Sequence, residues 1–126
     1  MPITQVSILQ GKSETYRRTV ADSVCDALHQ AFGVPEDDRF VTILEHQAAD
    51  FIFSPLSMGV ARTEDLLIFR VTANRGRSVD QKKAFYSRLA SLLQERLKVL
   101  PENVFINIVE VDKENWSFGS GIAQLA

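Results

Sequence analysis

The sequence predicts an α/β (α+β) fold in which two tandem β-α-β units form a four-stranded, mostly parallel sheet with both helices on one face. The first observation is an internal repeat, since Gly11-Lys12-Ser13 returns about 65 residues later as Gly76-Arg77-Ser78. The run Phe40–Glu45 likewise returns as Phe105–Glu110. The second observation is that each copy has the same order of hydrophobic patterns, which is typical of strand, helix and strand.

The first copy covers about residues 2–46. Residues 3–9 are rich in β-branched side chains and stop before Gly11, as in a strand that ends at a turn. Ser13 can then cap a helix whose apolar residues recur at helical spacing. These residues are Tyr16, Val20, Val24, Ala27, Leu28, Ala31 and Phe32. Gly33 and Pro35 end the helix, and residues 39–46 are predicted to form the second strand.

The second copy covers about residues 66–111 and begins with a predicted strand, Leu66–Thr72. Ser78 followed by Gln81 is a capping box at the start of a helix. The apolar face of this helix includes Phe85, Leu89, Leu92, Leu93 and Leu97. The last predicted strand is Val104–Val111.

Composition limits the classes of protein to consider. A chain of 126 residues with 45% hydrophobic content can form one domain, which we expect over residues 1–126. The net charge of −2 and the lack of a basic block argue against nucleic acid and anionic membranes as partners. No apolar run approaches the roughly eighteen residues of a membrane-spanning helix, and the start of the sequence lacks the basic and apolar regions of a signal peptide, so we expect a cytoplasmic protein. Cys25 is the single cysteine and is expected to be a buried thiol.

The predicted strands are apolar on both sides, yet the chain has only two long helices to cover the sheet. Leu67, Phe69 and Val71 alternate with Leu66 and Ile68. The second face of the sheet must therefore be covered by something else, and we expect a homo-oligomer. The connector, residues 47–65, and the tail, residues 112–126, are expected to reach a neighbouring subunit.

Several motifs together resemble those of the tautomerase superfamily. They are the Met1-Pro2 start, the repeated unit, Asn74-Arg75-Gly76-Arg77-Ser78, and Glu114-Asn115-Trp116-Ser117-Phe118-Gly119. Within that superfamily the chain is most similar to the fused, trimeric branch that contains malonate semialdehyde decarboxylase and related uncharacterised tautomerases. The resemblance implies a homotrimer, a small oxo or enol carboxylate as substrate, and a reaction that needs no metal or other cofactor.

The resemblance also implies that Pro2, once Met1 is removed, is the catalytic base or acid. A free α-amine titrates at about 7.7–8.0 in model peptides, so its surroundings decide its charge at neutral pH. A neutral Pro2 would move a proton between carbon and oxygen, as in a tautomerase. A cationic Pro2 would polarise a carbonyl, as in a decarboxylase or hydratase of malonate semialdehyde type. The sequence leaves both open, and the fold also occurs in cytokine-like binding proteins.

Arg75 and Arg77 are predicted to bind the acid group of the substrate. They lie at the start of a capped helix, where free backbone N–H groups and the helix dipole already favour an anion. Each guanidinium adds bidentate contacts to a carboxylate. The alternative is a solvated turn that uses arginine for solubility.

Three further residues complete the predicted site. Asp38 resembles an aspartate that acts on the proline or on a water in decarboxylase-like relatives; the alternative is a turn carboxylate that pairs with Arg39. Trp116 and Phe118 are expected to form an apolar wall that excludes water and strengthens charge contacts inside. They also suit packing between subunits.

Overall fold

The computed structural model describes residues 2–126, and its fold is the predicted one. The strands and helices are β1 (Ile3–Leu9), α1 (Glu14–Phe32), β2 (Val41–His46), β3 (Leu56–Ser57), β4 (Val60–Ala61), β5 (Leu67–Asn74), α2 (Val79–Leu97) and β6 (Val104–Val111). Short 3₁₀ turns lie at Ala48–Asp50, Pro101–Asn103 and Lys113–Asn115. Within the described residues, neither long helix has the length and apolar character needed to cross a membrane.

The main sheet has the strand order β2-β1-β5-β6. The two strands of each unit are parallel, and β1 and β5 join the units in antiparallel fashion, with Ile3 opposite Thr72. The two outer pairs of strands are therefore parallel, and the central pair, β1 and β5, is antiparallel. The remaining two strands, β3 and β4, form a small hairpin within the connector.

Both helices begin as the sequence predicts. The Ser13 hydroxyl accepts the Tyr16 N–H at 3.0 Å, and Ser78 and Gln81 form the reciprocal capping box. The first helix ends at Gly33 in the left-handed conformation (φ 69°), whereas the second ends at Lys98 in that conformation (φ 59°) without a glycine. Left-handed backbone is costly for most residues with a Cβ and usually falls on glycine, so the end of α2 at Lys98 could not be predicted from the positions of the glycines.

Three strand boundaries differ from the predicted ones. Strand β5 continues to Asn74 rather than Thr72, because Ala73 and Asn74 pair with Glu110 and Val111 of β6, and it begins at Leu67 rather than Leu66. Strand β2 begins at Val41 rather than at residue 39. The first difference matters for function, since it carries the sheet up to the arginine segment.

The core lies between the sheet and the two helices. Its fully buried members include Val6, Phe69, Phe85 and Leu89, each 0% exposed. Burying large side chains in this layer is the main source of stability. The end of α1 packs against the first half of α2 through Phe32 and Phe85, whose ring centroids are 5.1 Å apart.

The other face of the sheet is open over much of its area and carries both apolar and polar side chains. Ile3, Leu44 and Phe105 are 41–46% exposed there. A polar row also crosses the strands, formed by Thr42, Gln5, Arg70 and Asn107 in register. The sequence pattern of β5 suggested a more uniformly apolar face. At one end the connector folds over this face, where the Arg62 guanidinium lies 5.7 Å from the centre of the Phe105 ring.

Candidate active site

The four main strands bring several distant segments together at one edge of the sheet. At this edge β1 and β2 begin while β5 and β6 end. The Thr4 N–H donates to the Phe40 carbonyl at 3.0 Å, and Asn74 is paired with Val111. Helix α1 ends and helix α2 begins at the same edge. The register therefore places Pro2, the residues before β2, the arginine segment and the start of the tail in one region.

A cavity of about 220 Å³ opens beside the amino-terminal residues. It is lined by Pro2, Ile3, Phe40, Trp116, Ser117 and Phe118. Pro2 is buried, and all the lining side chains but the serine are apolar. The structure thus brings together three of the predicted site residues, Pro2, Trp116 and Phe118.

The tail folds back to form one wall of this cavity. The Trp116 and Phe118 rings are stacked, with centroids 5.4 Å apart and an interplanar angle of 22°. The indole N–H of Trp116 donates to the Asn74 side-chain oxygen at 2.6 Å. Gln124 closes the turn that follows, since it accepts the Phe118 N–H at 2.9 Å and donates to the Gly119 carbonyl at 3.1 Å. The wall is therefore fixed by both stacking and hydrogen bonds.

The two predicted anion-binding arginines have different surroundings. Arg77 is half-buried; its guanidinium lies 5.1 Å from the centre of the Phe32 ring and donates to the Asn74 carbonyl at 3.2 Å. The Arg75 side chain is 64% exposed and donates to Asp112 at 2.9 Å. Neither arginine lines the cavity beside Pro2, although both lie at the same edge of the sheet.

The charges around these arginines are largely compensated. Lys82 forms an ion pair with Glu110 at 2.7 Å, and the hydrogen bond from Lys82 lowers the pKa of Glu110. Asp112 compensates Arg75 in the same region. Within residues 2–126, Arg77 has no carboxylate at ion-pair distance, and its recorded contacts are the Asn74 carbonyl and the Phe32 ring. Of Arg75, Arg77 and Lys82, Arg77 is therefore the cation best able to bind an anionic ligand.

Asp38 is half-buried and follows a turn, where its N–H donates to the Pro35 carbonyl at 3.1 Å. Its position two residues before Phe40 places it at the edge of the sheet that holds Pro2. The Arg39 guanidinium binds two carboxylates of α1, Asp26 at 2.8 Å and Asp22 at 3.5 Å.

Sequence reasoning missed four residues of this region: Ile3, Phe40 and Ser117 in the cavity wall, and Asn74 beside it. Phe40 and Asn74 lie in sequence motifs described above. An apolar or amide side chain has no catalytic or ligand-binding chemistry that would mark it as a site residue in a sequence. Within the described part of the chain, no group of three or more His, Cys, Asp or Glu side chains has the arrangement of a metal site.

Comparison with known proteins agrees with this geometry. A family model described as tautomerase enzyme matches residues 38–119, and a second with the same description matches residues 2–61. The chain is 34% identical over 125 residues to the probable tautomerase YusQ of Bacillus subtilis (strain 168), which covers 99% of this chain and 98% of that protein.

Two solved structures are similar over almost the whole chain. A malonate semialdehyde decarboxylase, described with decarboxylase and hydratase activities, matches with a TM-score of 0.91 and 27% identity over 98% of this chain and 95% of its own. The FG41 malonate semialdehyde decarboxylase inhibited by 3-bromopropiolate matches with a TM-score of 0.89 and 30% identity over 97% of this chain and 92% of its own. The likeness covers both β-α-β units.

Proposed function

Since this chain belongs to the tautomerase family, we propose that it is a cofactor-independent tautomerase of small oxo and enol carboxylic acids that uses Pro2 for proton transfer. The observation that carries the proposal is the burial of Pro2 in the wall of an apolar cavity that Trp116 and Phe118 share. A concave, largely apolar pocket with few polar groups is typical of a site for a small molecule.

The proposed chemistry begins at the Pro2 nitrogen. Removal of Met1, which lies outside the described residues, would leave Pro2 with a secondary amine. Burial against apolar side chains disfavours a charged amine, and the positive charge of Arg77 at the same edge of the sheet would add to this effect, so we expect the pKa of Pro2 to lie below that of an exposed terminus. The neutral nitrogen would take a proton from the enol hydroxyl and return it to carbon, which converts the enol to its keto form with no net change in protons.

The other residues would bind and shield the substrate. Arg77 would hold the carboxylate, helped by the backbone N–H groups at the start of α2. Trp116 and Phe118 would cover the apolar part and keep water from the reacting carbon. Because water is excluded, the charge contact with Arg77 becomes stronger than it would be in solvent.

A second candidate is the decarboxylation of malonate semialdehyde, favoured by the likeness to two decarboxylases of that substrate. In that reaction a cationic Pro2 would polarise the aldehyde, carbon dioxide would leave, and the resulting enolate would take up a proton. Asp38, half-buried at the same edge, would favour the cation. The tautomerase names of the family models and of YusQ favour the first candidate, and they also favour an enzyme over a cytokine-like binding protein.

We also infer that the active form is a homotrimer. Leu44 and Phe105 are exposed on the open sheet face. In the connector, the exposed fractions of Ile52 and Met58 are 90% and 95%. Exposed apolar area of this kind is typical of surfaces that are covered on association. Three sheets facing inward would cover it and would leave the Pro2 edges accessible.

The test is to supply the processed enzyme with phenylenolpyruvate and with malonate semialdehyde, and to titrate a ¹⁵N-labelled Pro2 nitrogen by NMR. The tautomerase proposal predicts rapid ketonisation of the enol and a Pro2 that is neutral at pH 7. Faster release of carbon dioxide together with a Pro2 that is protonated at pH 7 would establish the decarboxylase instead. A stable trimer that acts on neither compound would refute both and favour a binding protein.

A further inference from the structure

Asn74, the last residue of β5, binds both the aromatic wall and the proposed anion-binding arginine. Its side-chain Oδ1 accepts the indole N–H of Trp116 at 2.6 Å, while its backbone carbonyl accepts Nη1 of Arg77 at 3.2 Å. We infer that Asn74 is a positioning residue that sets the orientation of Trp116 over the cavity. The catalytic part of this inference rests on the proposed function, but the structural part does not.

Trp116 needs such a partner because it lies outside the regular elements. It follows the 3₁₀ turn Lys113–Asn115, and its main partner in the wall is the stacked ring of Phe118. Stacked rings are attractive over a range of offsets and centroid distances, so stacking alone does not fix the orientation of the indole. The indole N–H can only donate, so one acceptor at a fixed point selects a single ring orientation.

Asn74 provides that fixed point because the sheet holds its backbone. Its strand pairs with β6 through Ala73 and Asn74, and the next N–H, of Arg75, donates to the Val111 carbonyl at 3.1 Å. The adjacent Ala73 is 2% exposed. The acceptor oxygen is therefore anchored to the rigid part of the molecule, and the tail docks onto it.

The residue type matters as well as the position. An amide oxygen accepts the indole N–H without adding charge, whereas a carboxylate at this point would add a negative charge to the residue whose backbone carbonyl already binds Arg77. A carboxylate would compete with an anionic substrate for the guanidinium, as Asp112 already does for Arg75. Asparagine thus orients the wall and leaves the positive charge of Arg77 available.

The experiment uses the single tryptophan of the chain, which gives one indole N–H cross-peak in a ¹H–¹⁵N spectrum. Asn74→Leu and Asn74→Ser remove the acceptor or place it out of reach. Both are expected to move the cross-peak upfield, to speed its exchange with solvent, and to lower kcat/KM for phenylenolpyruvate roughly fivefold, the usual effect of one net hydrogen bond. Asn74→Asp keeps an acceptor, so the cross-peak should stay in place while KM rises.

The matched control is Asn115→Leu, which changes an exposed asparagine next to Trp116. Within residues 2–126, the Asn115 side chain makes no hydrogen bond. It should leave both the cross-peak and the kinetics like those of the parent. If Asn74→Leu fails to fold, Asn74→Ser decides the matter. An unchanged cross-peak in a folded Ser or Leu variant would overturn the inference, and a moved one with unchanged kcat/KM would overturn its catalytic part. A parent without activity whose Asn74 variants still move the cross-peak would reject the proposed function and leave the orientation of Trp116 by Asn74 established.

Discussion

Replacing Arg77 by alanine should impair binding of the substrate carboxylate more than it impairs folding. Breaking one side of a desolvated charge pair costs about 2–5 kcal/mol. Arg77 is half-buried, so we expect the lower part of that range, about 2–3 kcal/mol, or a loss of roughly 30- to 150-fold in kcat/KM. The variant also loses the contact with the Phe32 ring and one hydrogen bond, together about 1–2 kcal/mol of folding stability.

The assay is ketonisation of phenylenolpyruvate followed by ultraviolet absorbance, with kcat and KM determined separately and unfolding measured on the same samples. Arg75→Ala is the matched control, because Arg75 is exposed and already bound to Asp112. Exposed ion pairs contribute about 0–1 kcal/mol, so this variant should lose less than about fivefold. Arg77→Ala with kcat/KM within twofold of the parent, or Arg75→Ala with the larger loss, would refute the assignment of the anion site.

Two further predictions concern stability and assembly. The hydrogen bond from Lys82 lowers the pKa of Glu110, so this ion pair stabilises the fold above the ordinary carboxyl pKa and stops doing so as the pH falls through the lowered pKa. The free energy of unfolding in urea, measured from pH 7 to pH 2, should therefore fall less in Lys82→Met than in the parent. An equal fall in the two proteins would contradict this prediction. Light scattering should give three times 14.1 kDa for the parent and a smaller mass for Phe105→Glu, whose parent side chain is 46% exposed on the open face; a monomeric parent would rule out the trimer.

Much of the fold was predictable because local signals and the repeat agree with each other. Ser13 and Ser78 begin the two helices as their hydroxyls predict, and the alternating runs form the four main strands. The end of α2 at Lys98 was less predictable, since a residue other than glycine adopts the left-handed conformation only when the contacts around it favour that conformation. The two residues added to β5 depend on pairing with β6, which is a property of the whole sheet.

The site was predictable in its chemistry but less so in its contacts. Pro2 and Arg77 could be proposed because a terminal amine and an arginine at a helix start have recognisable roles. The pairing of Arg39 with Asp22 and Asp26 depends on how α1 packs beside the residues before β2, which no spacing in the sequence reveals. The role of Asn74 likewise depends on where the tail folds back.

The catalytic role of the amino terminus is the central claim, and it can be tested without changing a side chain of the cavity. The measurement compares kcat/KM for phenylenolpyruvate between a form that begins at Pro2 and a form that keeps Met1, each verified by mass spectrometry. An amide nitrogen cannot accept a proton at neutral pH, so we predict that the form with Met1 is slower by roughly 10²- to 10⁴-fold, the usual contribution of a general base. Equal activity in the two forms would contradict the claim and show that proton transfer does not use the Pro2 nitrogen.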